Sequence, residues 1–372
     1  MSNSFVLRLI PILLVVSLTG LCCADLQAQR SNRSRSGAVR KSAAVSRSTE
    51  VSKSAAVSKS DIRRAQVVIW RESANIGALD LMYGPGSAQL APVPPFTFAA
   101  KVKDGASPKL EVKDARGIKW IVKLGPEAQS ETVSRRLVWA AGYFGEEAYY
   151  FDRVKIVGLP KLSRSRKYVE GPSIVLGAQF EPRRNSVTRG PQWGWNKNPF
   201  AQSRELNGLK VMMVLLNNYD ARAANNRILY LRNGPSWEAR YVVTDLGTTL
   251  GKAGGLGGRR SKNNLSDFLS TRFVLGVEND RDVKLAYHTR PTGPGVLTIF
   301  WPPYYFGEVK KEKSMSHIPV SHARWIGHVL SQLSDEQLRD AFRSAGYYSG
   351  TMNAYVATLR QRINQLVQLR ER

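Results

Sequence analysis

NNYDARAANN (Asn217–Asn226) follows the apolar run LKVMMVLL, and YVVTDLG (Tyr241–Gly247) comes one connection later. The first segment closes a greasy stretch. The second is a short β-rich run that ends in an acidic residue and a glycine. Asp220 and Asn225 lie five positions apart, and Asp245 follows across a hairpin-like connection. An Asp, then an Asn, then an Asp on the next strand can set one carboxylate near an attacking group and two oxygen ligands on Mg²⁺. Magnesium prefers hard oxygen donors in a near-octahedral shell, and a carboxamide plus a carboxylate supply them. Asn and Asp beyond a helix or strand also serve as ordinary cap and turn residues, so these two segments leave both readings open.

GIKWIVKLG (Gly117–Gly125) reads as a strand with Lys123 near its end. PEAQSETVSRRLVWAAGYFG then reads as a helix, with Ser130 as its cap, Glu131 in its first turn, and Val133, Leu137, Val138 and Ala141 at helical spacing. A strand lysine held by a helix glutamate places a cation on nucleotide phosphates. Taken singly, Lys123 is also a solvated strand residue and Glu131 a charge favoured by the helix N-terminus. Upstream, FTFAAKV and KLEVKD alternate and flank DGASPK, a hairpin whose loop holds Gly105, Ser107 and Lys109. Such a loop can turn backbone N–H groups and one cation toward phosphate.

GASPK, IVKLG, LNNYDARAANN and TDLG, in that order, resemble the HipA-like branch of the protein-kinase-like superfamily. The resemblance implies an α+β, two-lobed protein-kinase-like fold, with a small β-rich N-lobe around one main helix and a mostly helical C-lobe. It implies ATP or another nucleotide and Mg²⁺ as cofactors, and phosphoryl transfer to an unknown hydroxyl acceptor. Carried over by residue, Asp220 is the catalytic base, and Asn225 and Asp245 are the Mg²⁺ ligands. Lys123 contacts phosphate with Glu131 as its partner, and Gly105, Ser107 and Lys109 form the nucleotide loop. Three departures stand out: Arg222 replaces the histidine two residues after Asp220, Ser107 replaces a glutamine, and Lys123 and Glu131 are only eight residues apart. Over about residues 90–372 the chain also resembles a group of uncharacterised exported bacterial proteins. IVKLG, ETVSRRLVWAAGYF, NPFAQSRELNGLKVMMVLLNNYD, VTDLG and WIGHVLSQLSDEQLRDAFRSAGY carry that likeness. No activity comes with it.

On this reading residues 63–165 form the N-lobe, in which VVIW, FTFAAKV, KLEVKD, KWIVKLG and YYFDRVKIVG are strands. Residues 166–372 form the C-lobe. SRELNGLKVMMVLLNN reads as a helix apolar on nearly all sides, hence buried, delivering Asp220 at its end. Trp193 and Trp195 are expected to pack on the core rather than stack on a base. SDEQ at residues 334–337 fits a capping box, and Met352, Val356, Leu359, Ile363 and Leu366 stripe a final helix. GTTLGKA lacks the spacing of a phosphate loop, and neither HExxH nor GxSxG occurs.

Residues 1–28 read as a signal peptide: LIPILLVVSLTGL is apolar but short for a bilayer span, with Ala24 or Ala28 near a cleavage point. Export to the periplasm or beyond is expected, with no transmembrane helix in the mature chain. Both cysteines, Cys22 and Cys23, fall in that segment, so cleavage leaves no disulfide, thiolate metal site or cysteine nucleophile. Residues 29–62, with KSAAVS twice, are too poor in large apolar side chains to order themselves and read as a basic Ser/Ala-rich linker. The chain carries a formal net charge of +26 and an isoelectric point near 10.3. Charge of this order draws a protein to anionic envelope surfaces or other polyanions. No zinc-finger, helix-turn-helix or RNP signature points to sequence-specific nucleic-acid reading. The alternative function is therefore a kinase-fold protein without catalysis that binds anionic envelope components through its basic surface.

Overall fold

The computed structural model describes residues 57–102, 108–163, 165–256, 260–289, 291–292 and 302–371. The signal segment, most of the linker, Gly105 and Ser107 lie outside them. The described part is a mixed α+β fold. Helix α1 (Lys59–Arg64) and strand β1 (Gln66–Val68) lead into β2 (Phe96–Val102), β3 (Lys109–Lys113), β4 (Lys119–Leu124), helix α2 (Pro126–Ala140) and β5 (Tyr149–Val157). Residues 59–62, read above as the end of the linker, are helical, because Ser58 and Asp61 form a capping box that starts α1.

Strand β6 (Val169–Glu170) and strand β7 (Ile174–Pro182) complete the first sheet. Its order is β4-β3-β2-β5-β7-β6, and β7 also pairs antiparallel with β4, Lys123 facing Gln179. Five strands thus close on themselves, which leaves no unpaired edge among them. Phe96, Val112, Trp120, Val122, Ile156 and Phe180 fill the interior, each essentially inaccessible. The rings of Phe96 and Phe180 lie 4.8 Å apart, those of Phe151 and Phe180 5.1 Å.

A second sheet, β1-β10-β9-β8, is built from β8 (Thr188–Arg189), β9 (Asn226–Asn233) and β10 (Ser236–Val243), with β1 parallel to β10. β9 and β10 are a hairpin closed by Gly234-Pro235, where Gly234 takes φ +58°. Helix α3 (Arg204–Leu215) is capped by Ser203 and buried from Leu206 to its end, as its unbroken apolar run requires. Beyond β10 come β11 (Gly255–Leu256), α4 (Leu265–Ser270), β12 (Val274–Glu278), β13 (Asp282–Leu285), β14 (Pro291–Thr292), α5 (Pro302–Ser314), α6 (Val320–Ser331), α7 (Asp335–Arg343) and α8 (Ser349–Val367). The capping box at Ser334 and Gln337 forms, and the α8 stripe is buried. Helices α4, α6, α7 and α8, together with α3 and the inner face of α2, share one large hydrophobic cluster, separate from the interior of the closed sheet. No helix among the described residues is long and apolar enough to cross a membrane.

Two local expectations are corrected. Ser130 does not cap α2: Gly125, at φ +93°, and Pro126 start the helix one turn earlier, and Ser130 Oγ instead donates to the Gly247 carbonyl at 2.9 Å. Glu131 therefore sits in the second turn. Lys109 opens β3 rather than lying in the loop, since it pairs with Lys123 across the β3–β4 ladder.

The end of α3 is fastened by a residue that belongs to no motif. Arg362, 2 % exposed in α8, donates to the carbonyls of Leu215 (2.7 Å), Phe268 (2.9 Å) and Thr271 (3.0 Å). Its guanidinium lies 4.0 Å over the Phe268 ring. Arg362→Met strands those carbonyls without donors and is expected to cost about 1–3 kcal/mol, read as a lower urea midpoint. An unchanged midpoint would mean that water replaces the guanidinium.

Candidate functional site

Strand β4 is buried from Trp120 through Leu124, so the lysine it carries is buried as well. Lys123 Nζ donates to Glu131 Oε2 and, at 3.4 Å, to Asp245 Oδ1. Helical spacing puts Glu127, Glu131 and Arg135 on one face of α2. Arg135 donates to Glu131 (2.7 Å), to Glu181 at the end of β7 (2.9 Å) and to the Thr244 carbonyl (3.0 Å). Burial alone would pull the Lys123 ammonium down, but the charges of Glu131 and Asp245 outweigh it and hold the lysine above its ordinary value. Burial would likewise raise Asp245. Lys123, the Gly247 N–H, Lys109 and Arg135 instead keep it below the usual carboxylate range. Both groups are charged at neutral pH.

Asp220 stands beyond the end of α3. Asn217 turns the chain through φ +54°, and Asn218 Oδ1 accepts from the Asp220 N–H (3.0 Å) and from Thr248 Oγ1 (2.8 Å). Asn225 Nδ2 donates to the Asp220 carbonyl (2.8 Å) and to its Oδ2 (3.0 Å). The Thr244 N–H donates to the Asn225 carbonyl at 2.8 Å, so Asn225 is fixed beside the residue that precedes Asp245. Arg222, where the resembled family has histidine, donates to Asp220 Oδ2 at 2.8 Å. Lys311 of α5 holds both oxygens of Glu308 at 3.0 Å and lies 3.9 Å from Asp220 Oδ1.

One cavity of about 1280 Å³ is lined by Lys109, Lys123, Asp220, Asn225 and Asp245 together. Glu131, wholly buried, stands behind Lys123. Of the expected site residues only Gly105 and Ser107 cannot be placed, being outside the described residues. Arg135, Glu181 and Lys311 were missed. Arg135 had a local signal, its i,i+4 spacing from Glu131; Glu181 and Lys311 reach the site only through the fold.

The donor set fits a magnesium ion held largely by phosphate and water. Asp245 Oδ2 and Asn225 Oδ1 make no hydrogen bond among the described residues, whereas Asp245 Oδ1 is taken by Lys123 and the Gly247 N–H. Two such oxygens are the usual protein share of a nucleotide-bound magnesium shell. No group of three or more His, Cys, Asp or Glu among the described residues could hold a metal by itself. Trp193 and Trp195 pack against one another at 5.1 Å in the core, as expected, and Trp193 Nε1 donates to the Val242 carbonyl.

No family model and no curated protein matches the sequence. Among solved structures, the chain is similar to the Helicobacter pylori proinflammatory kinase CtkA, at 12% identity over 74% of this chain and 98% of that one, with a TM-score of 0.32. It is also similar to the Golgi casein kinase (8% identity, 80% and 81% of the two chains, TM-score 0.33) and to the same kinase with Mn/ADP bound (8%, 73% and 74%, TM-score 0.27).

Proposed function

We propose that this chain is an exported, atypical kinase-like protein that transfers a phosphoryl group from ATP or another nucleotide to a hydroxyl acceptor with the help of Mg²⁺. The observation that carries the proposal is the meeting, in one cavity, of a buried strand lysine locked by a helix glutamate with Asp245, Asn225 and Asp220. Lys123 and Lys109 face the donor's phosphates. Asn225 and Asp245 offer oxygens to magnesium, which neutralises charge on the transferred group. Asp220 orients the acceptor hydroxyl and takes its proton as the hydroxyl oxygen bonds to phosphorus; the bond to the nucleoside diphosphate breaks and that group leaves. On this reading the closed sheet with α2 is the smaller of two lobes. It runs through Pro182 instead of stopping at residue 165, because β7 closes the sheet.

ATP is scarce outside the cytoplasmic membrane, so the test covers several nucleotides. At a hundred times its dissociation constant, the right magnesium–nucleotide complex stabilises the protein by about 2.7 kcal/mol. The expected result is a raised melting temperature with one nucleotide that is lost in Asp245→Ala. No shift with any nucleotide, beside tight polyanion binding, favours the second reading, a binding protein for anionic envelope components. That reading draws on the +26 charge.

A further inference from the structure

The cavity holds far more positive charge than a nucleotide needs. Among the described residues that line it, twelve are Lys or Arg and five are Asp or Glu. A magnesium-bound nucleoside triphosphate brings only about two net negative charges. Most of the cations have partners: Arg189 pairs with Glu146, Arg222 with Asp220, Lys262 with Glu127, and both Arg260 and Lys311 with Glu308. Arg183, just past β7, has no side-chain partner among the described residues, and neither do Lys197, Arg227 and Lys310.

The last three stand on the Asp220 side. Asn196 Nδ2 donates to Ser314 Oγ at 3.1 Å, and Ser314 Oγ donates to the Lys310 carbonyl at 2.9 Å, so the Lys197 loop is tied to α5. Asn226 Nδ2 donates to the Trp193 carbonyl at 3.1 Å, which brings the start of β9, and Arg227 with it, to the same loop. Lys311, next to Lys310, donates to the Tyr219 carbonyl at 2.9 Å, immediately before Asp220. Unpaired cations gathered around one wall repel each other until an anion sits among them.

We propose that the acceptor whose hydroxyl meets Asp220 itself bears a phosphate, held by Lys197, Arg227 and Lys310. The inference rests on the phosphoryl-transfer reading of the same cavity. A phosphomonoester spreads nearly two charges over three acceptor oxygens, a closer match to three cations than a single carboxylate. The phosphate can belong to a soluble compound or to a lipid headgroup.

The full chain, without nucleotide, is titrated calorimetrically with glycerol and with glycerol 3-phosphate, and sedimented with phosphatidylcholine vesicles containing phosphatidylinositol 4-phosphate, whose headgroup carries a phosphomonoester and free hydroxyls. Binding of at least one phosphate source tenfold or more above the matching neutral control (glycerol, or phosphatidylcholine vesicles) is expected. It should fall at least tenfold in Lys197→Ala/Lys310→Ala and return in Lys197→Arg/Lys310→Arg. Glycerol 3-phosphate alone marks a soluble acceptor, vesicles alone a headgroup. Affinity that ignores either the phosphate or these two lysines overturns the proposal. A nucleotide-induced melting shift with no phosphate binding sinks this inference alone. Phosphate binding with no nucleotide shift sinks the transfer reading and leaves an anion site.

Discussion

Asp220→Asn is expected to slow phosphoryl transfer by about 10²–10⁴-fold and to leave the fold intact. The side chain is 19 % exposed and its ion pair with Arg222 is open to solvent, since Arg222 is 61 % exposed. A pair of that kind contributes only about 0–1 kcal/mol, and asparagine keeps the shape and the hydrogen bonding to Asn225. What it loses is the ability to take a proton from the attacking hydroxyl. Single-turnover measurement of nucleoside diphosphate release checks the rate. Melting with and without the magnesium–nucleotide complex checks that binding survives, because Lys123, Asn225 and Asp245 are untouched. A variant as fast as the parent would remove Asp220 from the chemistry.

Glu131→Ala is expected to be the most destabilising single change at the site, by about 3–5 kcal/mol. Glu131 is wholly buried and holds Lys123 through one oxygen and Arg135 through the other. Alanine leaves two cations facing each other with their shared anion gone and no water to replace it. Arg135 keeps Glu181, and Lys123 keeps only the longer contact to Asp245. The loss is read from the urea midpoint. The double variant Lys123→Met/Glu131→Leu, which removes the stranded charge as well, should recover much of that stability while remaining inactive. A Glu131→Ala protein with parental stability would show that the lysine is hydrated through the cavity.

The strands of the closed sheet were legible because each alternates or runs apolar over its own length, and β2 matches its sequence segment to the residue. The burial of α3 was legible for the same local reason. Closure of the sheet was not. β4 and β7 are about sixty residues apart, and periodicity shows that a strand exists without naming its partner. The early start of α2 was missed because Ser130 offers a cap in sequence, while the operative signal is Gly125 and Pro126. Lys123, Asp220, Asn225 and Asp245, which line one cavity, could be singled out because they sit at the ends of readable elements. Glu181 and Lys311 sit in no motif, and only the folded chain brings them in.

Arg135 ties its own helix, through Glu131, to Glu181 near the end of β7 and to the Thr244 carbonyl just beyond β10, next to Asp245. Swinging α2 outward would tear the Arg135 bonds to Glu181 and to the Thr244 carbonyl at once and strand a guanidinium in a dry space. This helix therefore behaves as a locked bolt and not as a switch, and any on–off control over the cavity has to act on what enters it.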